Sequence, residues 1–243
     1  MKLYAYNAGK GDCVRVEINS FNIFIDTGVT RFGETFRSIC NDIISSGGSL
    51  DLLILTHFHA DHVNGVRRLM SRVKVDRLVI PAEYEENEYS EAILDACGEY
   101  GTAVYPISEN TRFTTDGVTY TVYAPLGVGD PNESCLLIFG DCGNYEFLVT
   151  GDASGSVERR LVSFYELGDI ELFIAGHHGA ASSTTAALLD TVTPDTVFVS
   201  AGAGNSYGHP ADSVLERLAE RNIDIYRTDL DGTVAVTVVR DDG

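Results

Sequence analysis

Residues 56–65 read THFHADHVNG, and this stretch constrains the chain more than any other. His57, His59, Asp61 and His62 crowd into it, although the whole chain has only 6 histidines. Imidazole and carboxylate groups set beside a core are costly unless something partners them. The run follows a compact apolar segment, residues 52–55, which reads as a buried strand delivering the chain into it. His57 and His59 are two apart, so on an extended segment both side chains point the same way. Asp61 and His62 then lead into a helix expected over residues 62–70. Imidazole nitrogens with carboxylate oxygens suit zinc, with manganese or iron as alternatives. A solvated loop is the competing reading, and the density of ligating groups behind a strand weighs against it.

The chain's 243 residues, 44% hydrophobic and 22% charged, fit one domain spanning residues 1–243. The formal net charge of −19 disfavours long nucleic acid as a partner. Arg67, Arg68, Arg72 and Lys74 form a basic cluster that reads as a solvated helix face. No signal peptide and no membrane-spanning run is expected. Cys13, Cys40, Cys97, Cys135 and Cys142 are odd in number and lack CxxC spacing. They read as buried small side chains in a reducing, cytoplasmic setting. Composition does not set the oligomeric state.

Along the chain, β-rich runs near residues 3–6, 14–18 and 22–25 suggest an opening antiparallel meander. Phe36, Ile39, Cys40, Ile43 and Ile44 recur at helical spacing, and Gly47-Gly48 stops that helix. Strands are expected at residues 77–80, 103–105, 118–123, 135–139, 146–149, 172–174, 196–200, 223–226 and 233–239. Helices are expected at residues 88–100, 156–165 and 184–189, and in a segment where Ser213 and Glu216 form a capping box. This alternation fits an α/β, four-layer αββα sandwich of two mixed β-sheets with helices on the outer faces. The polar clusters THFHADH, TGDAS, AGHHG and SAGAGNSYGHP each follow an apolar strand, where a rigid scaffold presents chemistry.

HxHxDH behind an apolar strand resembles the signature of the metallo-β-lactamase-fold hydrolases. IDTG at residues 25–28, TGDAS with Asp152, and AGHHG with His177 and His178 extend the resemblance over nearly the whole chain. GKGDC, PNESCLLIF, HHGAASS, NSYGHP and YRTDLDG narrow it to the hydrolase domain of ComEC-like competence proteins and free-standing relatives. The resemblance implies two divalent metals. His57 and His59 would hold metal one, and Asp61 and His62 with a late histidine would hold metal two. Asp152 would bridge them, and Asp26 would orient a ligand histidine from behind. Adjacent strand-end residues face opposite ways, so one of His177 and His178 is the expected ligand, with His178 preferred because it stands directly before Gly179, which opens the loop.

Many members of that family carry another histidine between the HxHxDH run and the bridging aspartate. Here none lies between His62 and His177, and the matching PNESC offers Asn132, Glu133 and Ser134. Metal one is therefore expected to be more open or more weakly bound than metal two.

The implied function is hydrolysis of a phosphodiester or phosphoryl ester by a hydroxide shared between the metals. Asp61 would orient that hydroxide, and His209 would protonate the leaving group. A small phosphoester or short oligonucleotide suits the acidic surface. A metal-binding module with little or no turnover is the alternative. GKGDC reads as a tight turn that brings Asp12 or Lys10 near the site, with Asn7 and Asp12 themselves read first as structural turn residues. Ser182, Ser183 and Thr184 read as caps for the next helix or as substrate contacts. Cys13 reads as core.

Overall fold

The computed structural model describes residues 1–29 and 33–239. Two seven-stranded sheets pack face to face. The first runs in the order Val234–Thr237, Lys2–Ala5, Val14–Ile18, Phe21–Ile25, Leu52–Ile54, Arg77–Pro81, Ala103–Ile107. Its first four strands pair antiparallel and the rest parallel. The second runs Asp224–Arg227, Thr196–Val199, Leu172–Ile174, Glu146–Val149, Leu137–Asp141, Val118–Tyr123, Thr111–Thr115. Here the first four strands pair parallel and the others antiparallel.

Period-two alternation explains the layering. Leu3, Val16, Ile23 and Ile54 of the first sheet meet Tyr120, Ile138, Phe147 and Ile174 of the second in the central core. The opposite faces are also apolar, and each needs its own cover. Phe24, Leu53 and Leu78 pack under Phe36, Ile39, Leu69 and Ile93. Leu148, Phe173 and Val197 pack under Val157, Leu161, Leu188 and Leu218. Each fully buried side chain of this size contributes about 1.5–3 kcal/mol. The result is the expected αββα sandwich. Among the described residues no helix is long and apolar enough to cross a membrane. All five cysteines are buried.

Local expectations differ at several points. The helix expected over residues 62–70 is two short ones, Ala60–Val63 and Val66–Met70. They break at Gly65, where any Cβ would lie 2.3 Å from the Thr27 carbonyl oxygen. The Gly65 amide bonds that same oxygen at 2.8 Å, so a tertiary contact overrides helical continuity. The helix expected from residue 184 is Ala186–Val192, capped by Thr185, whose hydroxyl accepts from the Leu188 amide. Ser182, Ser183 and Thr184 are not its cap. The Ser213–Glu216 capping box does not form, because the helix already begins at Asp212. Its Ala211 cap is fixed by a hydrogen bond that the Ala211 amide donates to the Gly179 carbonyl at 2.9 Å. Ile44 lies off the buried face of its helix and is exposed. The strand expected at residues 135–139 is displaced to Leu137–Asp141. Thr111–Thr115 is a strand with no apolar alternation to announce it, hairpinned through Asp116-Gly117, both at positive φ.

Candidate metal centre

Five loops at strand ends converge on one point. The IDTG turn comes first. Asp26 sits at positive φ just past Phe21–Ile25, and its carboxylate oxygens accept from the Thr56 amide at 2.8 Å and the Thr56 hydroxyl at 2.7 Å. Gly28 packs on the HxHxDH backbone so closely that a Cβ would lie 1.4 Å from the Asp61 carbonyl oxygen. The GKGDC loop locks onto the same place. The Asp12 amide donates to the Asp61 carbonyl at 3.0 Å, and the Asp12 carbonyl accepts from the Gly28 amide at 2.7 Å.

Hydrogen bonds fix the ring orientation of three buried histidines. Both Asp26 oxygens already accept from Thr56, so the His62 Nδ1–H is the donor to Asp26 Oδ2, at 2.7 Å. Thr56 gives its one hydroxyl proton to Asp26, so at 3.1 Å its oxygen accepts from His57 Nδ1–H. His178 Nδ1 faces the Ser200 carbonyl at 3.1 Å, and a carbonyl only accepts. That leaves Nε2 as the nitrogen each ring can offer to a cation. Those three Nε2 atoms are buried without a hydrogen-bond partner, as are Asp152 Oδ1 and Asp12 Oδ1.

Asp152 stands among them. Its Oδ1 lies 3.0 Å from His62 Nε2 and 3.8 Å from His178 Nε2. Its Oδ2 lies 3.8 Å from His57 Nε2 and 3.5 Å from His177 Nε2. One side-chain donor atom each from Asp12, His62, Asp152 and His178 can be enclosed within 4.8 Å, and so can one each from His57, His59 and Asp152. Asp61 Oδ2 is 3.5 Å from His178 Nε2. Leaving a buried polar atom unpaired costs about 1–3 kcal/mol. Divalent cations held by these two groups would satisfy the five atoms, and imidazole with carboxylate is a donor set that suits them.

Electrostatics agree. Burial pushes the His57 pKa well below its ordinary value. Burial would lower His62 too, but the Asp152 and Asp26 carboxylates prevail and hold it well above. His178 follows the same pattern. Burial opposes its charge, yet Asp12, Asp61 and Asp152 raise it to about 10. Burial would raise Asp61, but His178 and His62 draw it down to about 2. For Asp152 the same histidines outweigh burial and hold the carboxyl well below its usual range. The carboxylates call for positive charge here, which protons supply when no cation is bound.

Two expectations about this region change. His177 and His178 are not strand-end residues facing opposite ways. Both adopt left-handed φ, 50° and 55°, in a turn that aims both rings at Asp152. His178 is buried, while His177 lies nearer the rim. Asp12 is more than a turn residue. It is buried with its Oδ1 3.5 Å from His178 Nδ1. The GKGDC turn is expected to bring Asp12 or Lys10 near the site, and it is Asp12 that joins the ligand cluster.

In PNESC, Glu133 turns away from the centre. Its carboxylate accepts from the hydroxyls of Ser154 and Ser156 at the start of helix Gly155–Phe164. Ser134 instead lines the cleft beside His57 and His59. Cys135 Sγ is 3.6 Å from His57 Nδ1. His209 sits half-buried at the rim, its ring 5.8 Å from that of His177. Burial, then His177 and His178, lower its pKa.

The chain belongs to the metallo-β-lactamase superfamily, whose model matches residues 6–203. The superfamily includes metal-dependent hydrolases, and its members bind divalent metals. Among individual relatives, ComE operon protein 3 of Bacillus subtilis is 31% identical over 188 residues, covering 76% of this chain and 24% of that protein. Competence protein ComA of Neisseria gonorrhoeae is 29% identical over 235 residues, covering 94% of this chain and 31% of that protein. The chain thus spans about a quarter to a third of the length of these ComEC-like relatives. The metallo-β-lactamase-fold protein YhfI from Bacillus subtilis superposes with a TM-score of 0.66 at 11% identity, covering 97% of this chain and 99% of its own, which reflects shared fold.

Proposed function

We propose that the chain is a metal-dependent hydrolase of a phosphodiester or phosphoryl ester, taking a small ester or a short oligonucleotide. The observation that carries this reading is the set of three buried Nε2 atoms gathered around the two oxygens of Asp152. His57, His59 and Asp152 Oδ2 would hold one divalent ion. His62, His178 and Asp152 Oδ1 would hold the other, with Asp61 and Asp12 beside it, and His177 would complete the rim. Zinc suits this donor set, with manganese or iron as alternatives. Bound metal would supply Lewis-acid charge to the ester's phosphoryl oxygen and acidify the attacking water.

The protein groups divide the remaining work. Asp61, held as a carboxylate, accepts a hydrogen bond from the attacking water and orients it. His209 passes a proton to the departing oxygen. The acidic surface, with a net charge of −19, supports a small substrate over long nucleic acid. The phosphoester assignment draws on the likeness to ComEC-like proteins, and five buried cysteines without CxxC spacing suit a cytoplasmic setting.

Metal-replete protein should hydrolyse bis-p-nitrophenyl phosphate, and His57→Ala should lose both turnover and metal. No turnover across esters, phosphodiesters and nucleic acids would favour the second reading, a metal-binding module. That reading draws on the thin protein donor set beside His57 and His59. Unchanged metal content in His57→Ala would overturn the site itself.

A further inference from the structure

A cleft of about 480 Å³ opens beside His57 and His59, within the ~300–1,000 Å³ typical of small-ligand sites. Its walls are largely apolar. Phe58 and Tyr84, with ring centroids 4.5 Å apart, stand beside Pro81, Ile107 and Pro125. Glu83 and Glu85 also line it, and among the described residues lining it none is Lys or Arg. His57 ties the cleft to the metal centre, since it lines the cleft while its buried Nε2 lacks a partner.

We propose that this cleft is the substrate's subsite for an uncharged, ring-bearing group, and that it rejects a second anionic group. The inference rests on the hydrolase reading above. Aromatic and proline walls gain by covering a flat apolar ring. Beyond the metal centre, an anion entering the same space would lose its water and meet two carboxylates with no Lys or Arg among the described lining residues to compensate. A polynucleotide threaded through the cleft would set its next phosphate there. The substrate therefore ends, in this direction, in a neutral ring.

Cationic help lies outside the cleft. Lys10 Nζ is 3.3 Å from Ser206 Oγ and 5.0 Å from the centre of the Tyr207 ring, and none of these three residues lines the cleft. Tyr207 stacks on His209 at 5.9 Å, which places this group on the His177 side of the centre. Any further negative charge on the substrate is directed there. The substrate is thus polar end to end, with anionic character toward Lys10 and a ring toward Tyr84.

Calorimetry on the zinc-loaded protein tests this with three ligands sharing one phosphonate: methyl-, phenyl- and 4-carboxyphenylphosphonate. Phenylphosphonate should bind roughly tenfold tighter than methylphosphonate through burial of its ring. The carboxyphenyl compound should lose most of that gain. Tyr84→Ala should collapse the phenyl-to-methyl ratio while leaving methylphosphonate affinity unchanged, which also confirms an intact fold. The Glu83→Gln/Glu85→Gln double variant should restore carboxyphenyl binding severalfold. Equal affinity for phenyl- and methylphosphonate, or a Tyr84→Ala loss shared by both, would overturn the subsite. So would binding of none of the three. Phosphonate binding with this selectivity but no turnover of any phosphoester would instead overturn the hydrolase reading and leave the cleft as a ligand site.

Discussion

Nδ1 of His62 stands 2.7 Å from Oδ2 of Asp26, and Nε2 of the same ring stands 3.0 Å from Oδ1 of Asp152. The imidazole is thus strung between two buried carboxylates. Asp26 orients it, and Asp152 would share the metal proposed for this site. Removing the orienting partner should weaken metal binding without touching a ligand. Asp26→Ala is expected to lower metal affinity about 10–100-fold. It also leaves the Thr56 amide and hydroxyl unpaired, at roughly 1–3 kcal/mol each. Chelator competition and urea unfolding of the variant measure the two effects.

Asp12 and Glu133 make opposite expectations. Asp12→Ala should reduce metal content, because Asp12 Oδ1 faces His178 and joins the cluster around His62 and Asp152. Glu133→Ala should keep full metal content and lose only helix-end hydroxyl contacts, at about 1 kcal/mol. Metal analysis by mass spectrometry with thermal melts separates the pair. Metal loss in Glu133→Ala would show that PNESC supplies a ligand.

Much of this was legible in the sequence. The two sheets follow from apolar runs at strand spacing, and THFHADH, TGDAS and AGHHG fall at strand ends as expected. What could not be read depends on packing between distant segments. The break at Gly65 exists because Thr27 lies against it. The left-handed His177-His178 turn is held by neighbours, with the His177 amide donating to Gly151 at 2.9 Å. Asp12 reaches the centre only because the HxHxDH backbone and Gly28 bond its own backbone.

Metal-free protein should show a distinctive pH dependence. His178 has a folded pKa of about 10 against an ordinary 6.5. A group raised on folding contributes stability that is fully present below its unfolded pKa and lost as pH rises through the folded value. Chelated protein should therefore lose stability between about pH 6.5 and 10. Asp61, lowered to about 2 from 3.8, should add a second loss as pH falls across that acid window. Metal binding releases protons, so zinc affinity should instead rise with pH. Urea midpoints at pH 6 and 9, with and without zinc, check both signs.

The proton-donor role proposed for His209 predicts a dependence on the leaving group. With an alkyl ester, whose departing oxygen needs a proton, His209→Ala should slow kcat by about 100-fold. With a p-nitrophenyl ester the change should be small. Because the His209 pKa is lowered, the donor-dependent rate should climb as pH falls below 6.5. Equal losses with both esters would point to a structural role for the NSYGHP loop.

The most direct test of the central claim is a crystal structure of the zinc-loaded protein with anomalous data at the metal edge. Two peaks are expected, each about 2.0–2.2 Å from its ligands. One should lie at Nε2 of His57 with His59 and Asp152, the other at Nε2 of His62 and His178 with Asp152. A metal bound elsewhere, or fully loaded protein whose three Nε2 atoms touch none, would contradict the account.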